Sequence, residues 1–127
     1  MSNLEAIQLI FSLLLAGVFV TVYMATHLHR RSDALTTGTL RGVAISPKER
    51  RMILFQEWLP LISAISGLDL ILALSFMEIA ANVGDESVML LAWLSAGLSG
   101  FGAVFMTVQG TIFFTSWLSI LRDADAD

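Results

Sequence analysis

Cysteine is absent from the 127 residues, which excludes a disulfide framework, a thiolate nucleophile and any metal site built on sulfur. Charge is scarce as well. Asp, Glu, Lys and Arg make up 14% of the chain, where a soluble domain carries about 25%. The formal net charge of -4 opposes binding to a phosphate backbone, so nucleic acid is not an expected partner. Histidine occurs only at His27 and His29. Two positions apart on a helix, they point about 200° away from one another, so one chain cannot clamp an ion or haem between them. Whether either holds a pigment or haem with help from another subunit stays open, and the sequence names no cofactor.

What the chain has in excess is apolar surface, with 56% hydrophobic residues and a mean hydropathy of +0.77. A soluble domain of about 150 residues buries only some 70% of the surface its unfolded form exposes, so a core of this size cannot hide such a composition from water. The bilayer is the expected solvent. The fold class is an all-α integral membrane protein of three transmembrane helices, a single domain over residues 1–127.

The first apolar stretch runs from Leu4 to Leu28 and leads into the basic string HLHRR. It lacks the basic start and small-residue cleavage site of a secretory signal and reads as a retained helix. Before the second stretch, Ser46, Pro47 and Glu49 form S-P-x-E, a capping serine, a proline at the first helical position and a reciprocal carboxylate. Met52, Phe55 and Leu59 follow at helical spacing, so 47–59 reads as an amphipathic segment at the membrane surface. Pro60 cannot donate to the carbonyl of Gln56, and a kink is expected there. From Leu61 to Ala81 the helix is about 31 Å long, against a hydrocarbon core of roughly 30 Å.

The third stretch, Val88 to Leu121, is about 51 Å long as a helix. Trp93 and Trp117 lie about 36 Å apart along it, which suits the two interfacial belts of one tilted span. A fold-back at Ser95 to Ala103 (SAGLSGFGA) is the rival arrangement. In the same region GLSGFG has neither the preceding strand nor the glycine order of a phosphate-binding loop.

Six of the seven basic residues (Arg30, Arg31, Arg41, Lys48, Arg50, Arg51) lie in the loop 29–59, which the positive-inside rule places in the cytoplasm. The expected topology is amino terminus out and carboxyl terminus in, within an inner membrane of bacterial type. Arg30, Arg31, Lys48, Arg50 and Arg51 are the candidates for contact with lipid headgroups. The loop Ser32 to Ile45 reads as a flexible connection, and the terminal DADAD as a short acidic tail that frays.

Asp69 is the most informative side chain, about 14 Å along the second span from its cytoplasmic end. A charged carboxylate at that depth costs about 3 kcal/mol on insertion scales. No lysine, arginine or histidine lies within the hydrocarbon parts of the spans to pair with it. Asp69 is therefore either protonated and hydrogen-bonded, to Ser66 or to Gln109 on a neighbouring helix, or it faces water, a cation or another subunit. Gln109 is otherwise read as a hydrogen-bonding contact between helices.

The third span also carries a small or hydroxylated residue at every fourth position, including Ser95, Ser99, Ala103, Thr107, Thr111 and Thr115, with Gly100 in a second row beside it. Such rows let helix backbones approach closely or, in a homo-oligomer, line a pore. A row of this period winds by about 40° per step, so more than one neighbouring helix is expected. No catalytic pair and no metal site is apparent. Glu49 reads as a cap and Asp33 as a loop charge, and an enzyme is not expected. The first expectation is a small subunit of a multi-helix membrane assembly, with Asp69 handling a proton or cation in a homo-oligomeric pore or transport complex. The second is a passive structural or accessory subunit of a larger energy-transducing complex. Membrane lipid and other transmembrane helices are the expected partners.

Overall fold

A computed structural model describes residues 2–126 of the chain. Three helical rods are long and apolar enough to cross a membrane: Asn3–Thr37, Pro47–Ala81 and Glu86–Asp123.

Helix α1 (Asn3–Thr37) starts at Ser2, whose hydroxyl accepts from the Glu5 N–H at 3.2 Å. It continues well past Leu28, where the apolar run ends. The segment HLHRRSDALTT contains no glycine or proline, so its polarity ends the apolar stretch without ending the helix. Gly38 does that, in the left-handed conformation at φ 71°, with its N–H donating to the Ala34 carbonyl. The neighbouring Leu35 carbonyl accepts from Arg50 Nη2.

The connection that reads as flexible is a hairpin. Strand β1 (Thr39–Leu40) pairs antiparallel with β2 (Val43–Ala44), Leu40 opposite Val43. The two turn residues, Arg41 and Gly42, have φ of 53° and 79°. Positive φ at both positions matches the twist of paired strands. Arginine is an uncommon occupant of such a position, at a cost of about 1 kcal/mol.

Helix α2 (Pro47–Ile53) begins as the sequence indicates, Ser46 Oγ accepting from the Glu49 N–H at 3.2 Å. It passes into a π-helical turn, Leu54–Trp58, and then into α3 (Leu59–Ala81). The irregularity expected at Pro60 is thus a widened turn just before it, with the Leu59 N–H reaching back five residues to the Leu54 carbonyl. Ile53, Leu54 and Trp58 are the buried residues, whereas Met52 and Phe55 are exposed.

Helix α4 (Glu86–Ala126) is capped by Asp85, whose Oδ1 accepts from the Ser87 and Val88 N–H groups at 2.8 and 3.2 Å. It is unbroken through Ser95 to Ala103, which rules out the fold-back. A helix keeps every backbone bond internal, which an apolar medium rewards. The acidic tail is helical as far as Ala126, and Asp127 lies outside the described residues.

Helices α3 and α4 form an antiparallel hairpin, Ile62 lying against Gly110 and Asp69 against Gly102. The buried residues of α1 are confined to Ala6, Ile10 and Gly17 near one end and Ala34 and Leu35 near the other. Two apolar clusters result. One joins Ala6 and Ile10 to Leu72, Phe76, Ala92 and Ala96. The other joins Ala34 and Leu35 to Leu54, Trp58, Ile62 and Trp117.

In the second cluster the Trp58 and Trp117 rings meet edge to face, centroids 4.9 Å apart, and Trp58 Nε1 donates to Ser32 Oγ at 3.0 Å. One indole therefore ties three rods together. Trp117 is accordingly buried in the helix contact, whereas Trp93 is exposed. Trp58→Ala should destabilise the fold by about 3 kcal/mol through lost packing. Trp58→Phe should cost about 1 kcal/mol through the lost hydrogen bond, and Ser32→Ala should add almost nothing on that background. Reversible unfolding in mixed detergent micelles measures all three.

Candidate functional site

Asp69 sits between the two apolar clusters, beyond Ile62 on one side and before Leu72 on the other. Its partly buried carboxyl is pressed against the backbone of α4. A Cβ placed on Gly102 would lie 2.8 Å from Asp69 Oδ2 and 3.4 Å from Cγ, so only glycine leaves room for the carboxyl in this position. Gly102 is the contact that sequence reasoning missed. Its signal was present in GLSGFG, once the short link between Ala81 and Glu86 is used to lay α3 and α4 antiparallel and count outward from it.

Neither expected partner reaches the carboxyl. Among the described residues no hydrogen bond joins Asp69 to Ser66 or Gln109, and no cationic side chain is paired with it. The helix register explains the separation from Gln109. Gly102 is opposite Asp69, and Gln109 lies seven residues along α4, about 10 Å away at helical rise. Equal depth below the tryptophans is therefore not sufficient for contact. Ser66 and Gln109 are themselves only partly buried.

The row of small and hydroxylated residues on α4 divides as its winding predicts. Ser95 and Ser99 are buried, and Gly100 faces Ala73, to which a Cβ would come within 4.0 Å. Ala103, Thr107 and Thr111 have rotated onto the outer side of the hairpin. There, two adjoining hollows of about 340 and 370 Å³ share Ser66 and Thr107. Ser63, Gly110 and Thr111 line the first, Gly67 and Ala103 the second. Thr115 is exposed further along.

Each threonine hydroxyl is spent on its own helix. Thr107 donates to the Ala103 carbonyl at 2.8 Å, Thr111 to that of Thr107 at 2.8 Å, and Thr115 to that of Thr111 at 2.9 Å. Such back-bonding removes the need for an outside acceptor in an apolar medium. The groove therefore offers small surfaces more than free donors.

The basic residues expected at lipid headgroups have separate roles. Arg50 is partly buried and turned into the protein, donating to the Leu35 carbonyl. Arg31 pairs with Glu57 at 3.3 Å. Arg30 and Lys48 are exposed, while Arg51 is partly buried. His27 packs edge to face on Tyr23 at 4.8 Å, and His29 faces Asp33 at 3.5 Å. Among the described residues no group of three or more His, Asp or Glu is placed to hold a metal ion.

The contact between Asp69 and Gly102 is testable by a double-mutant cycle. Gly102→Ala should destabilise the wild-type chain, because the new methyl displaces the carboxyl. On an Asp69→Ala background the same change should stabilise by up to about 1 kcal/mol, the helix propensity gained over glycine. Unfolding in detergent reads the sign reversal.

The chain matches no protein-family model, no curated protein and no solved structure.

Proposed function

We propose that this chain is a small subunit of a multi-helix assembly in a bacterial-type inner membrane, with Asp69 as its proton- or cation-handling group. The observation that carries the reading is a carboxyl halfway along an apolar rod, partly buried against Gly102 and, among the described residues, paired with no cation. An acid in that setting is costly to keep, and intramembrane acids that persist mark ion and proton paths by default. The small-residue groove on the outer face of α3 and α4 supports the assembly part of the reading. It is shaped for close approach of another helix, and without one its small side chains gain nothing over larger ones. The basic hairpin end, carrying Arg30, Arg31, Arg41 and Lys48, belongs in the cytoplasm by the positive-inside rule, with the amino terminus opposite and the carboxyl terminus on the same side.

The back-bonded threonines favour a second reading, in which the groove serves packing alone and the chain is an accessory subunit of a larger energy-transducing complex. Native mass spectrometry from lipid nanodiscs, followed by flux assays in vesicles, separates the two. The first reading expects a discrete assembly whose proton or cation flux falls at least tenfold in Asp69→Asn, with the assembly mass unchanged. Flux that is absent, or indifferent to that substitution, together with co-purifying larger proteins, would establish the accessory role.

A further inference from the structure

We infer that the outer face of α1 is a binding site for one anionic phospholipid, its phosphate held by Arg30 and Arg41 and an acyl chain laid along the helix toward Leu15. The site has two adjoining parts. The polar part is a hollow of about 560 Å³ between the last turns of α1 and the hairpin, walled by Arg30, Arg31 and Arg41 with the hydroxyl-bearing Thr37 and Thr39. The apolar part is a groove of about 610 Å³ on α1 alone, lined by Leu15, Val18, Phe19, Val22 and Tyr23. His27 and Arg30 border both, so the two parts are continuous.

Charge selects the occupant. Three arginines face one carboxylate, Asp33, which is engaged by His29 at 3.5 Å, and Arg31 is already matched by Glu57 at 3.3 Å. Arg30 and Arg41 have no acidic partner among the described residues. They are the two cations left to meet an anion. Arg41 is held at this position by the hairpin turn in a left-handed backbone conformation that arginine rarely adopts, φ 53°. A phosphate diester suits paired guanidinium groups, which bind it through forked hydrogen bonds.

The position of the site distinguishes a lipid from a soluble phosphate. Ser32, about one and a half turns beyond the polar hollow's inner edge at His27, is bonded to Trp58, which meets Trp117 edge to face. A tryptophan pair on two rods, level with Ser32 on the third, suits the headgroup region when the rods span a bilayer. The apolar groove runs from there toward the hydrocarbon. The side chains that line it, Val18, Phe19, Val22 and Tyr23, are all exposed and covered by no other helix. A bound chain lies along surface that the protein itself leaves uncovered.

The site rests on the membrane placement of the three rods and is independent of any role for Asp69. The test reconstitutes the full chain into phosphatidylcholine liposomes, confirms insertion by flotation after an alkaline wash, and measures lipid retention by native mass spectrometry. Phosphatidylglycerol and phosphatidylcholine of matched acyl chains are compared, with inorganic phosphate as a competitor. One retained phosphatidylglycerol per chain is expected, with Arg30→Gln/Arg41→Gln weakening it about thirtyfold, two charges near a headgroup. Arg122→Gln, which removes a positive charge on α4 away from the hollow, should leave retention within about twofold. Val22→Trp, which fills the groove and keeps every charge, should also release the lipid.

Equal retention of the two lipids, a comparable loss in the Arg122→Gln variant, or full competition by inorganic phosphate would each overturn the site. Retention unaffected by Val22→Trp would overturn the acyl-chain groove. Failure to float would overturn the membrane reading itself, and the site with it.

Discussion

The close antiparallel approach of α3 and α4 governs the molecule, because in lipid the helices have no hydrophobic force to bring them together and contact itself must supply the attraction. Glycines make that contact close. Gly110 admits Ile62 and Gly102 admits the Asp69 carboxyl, each at a distance that any Cβ would crowd. Once this pair is set, the remaining elements follow from it. The short link capped by Asp85 fixes its direction, and the two apolar clusters form where the ends of α1 meet the finished hairpin.

Most of the fold is legible in the residues. The Ser46 cap, the start of α2 at Pro47 and the irregularity at Pro60 are all read directly, because each rests on backbone hydrogen bonding that local sequence dictates. Hydropathy located the rods but not the end of α1. A helix ends where its hydrogen bonds can be satisfied otherwise, at Gly38, while a hydropathy window ends where charge begins at His27 to Arg31. The hairpin was hidden for a related reason. Its turn pairs an unusual Arg41 with Gly42, and strands of two residues are too short for alternation to show.

The candidate site was legible in its central residue and not in its surroundings. A single acid in an apolar run identifies Asp69 without further help. Its neighbour depends on helix register, and depth alone is a poor guide. Two side chains at similar depth on adjacent rods meet only if they share a face, and Gln109 is two turns away from the residue that does. The basic loop shows the same limit from the other direction. Arg50 and Arg31 look like surface charge in sequence, yet one serves the Leu35 carbonyl near the end of α1 and the other the carboxylate of Glu57.

The π turn at Leu54–Trp58 has a consequence for how the chain tolerates changes in length. An α-helix advances about 100° per residue, so losing one residue here turns everything upstream through that angle relative to α3. Trp58 adjoins α3 and would keep its place beside Trp117, but Arg50 would swing off the Leu35 carbonyl, and the whole basic end would be re-aimed. The widened turn therefore acts as a phase setting between the apolar hairpin and the basic cap. Insertions are absorbed readily at the tip of the β-turn, whereas between Leu54 and Trp58 the count of residues is itself a structural feature.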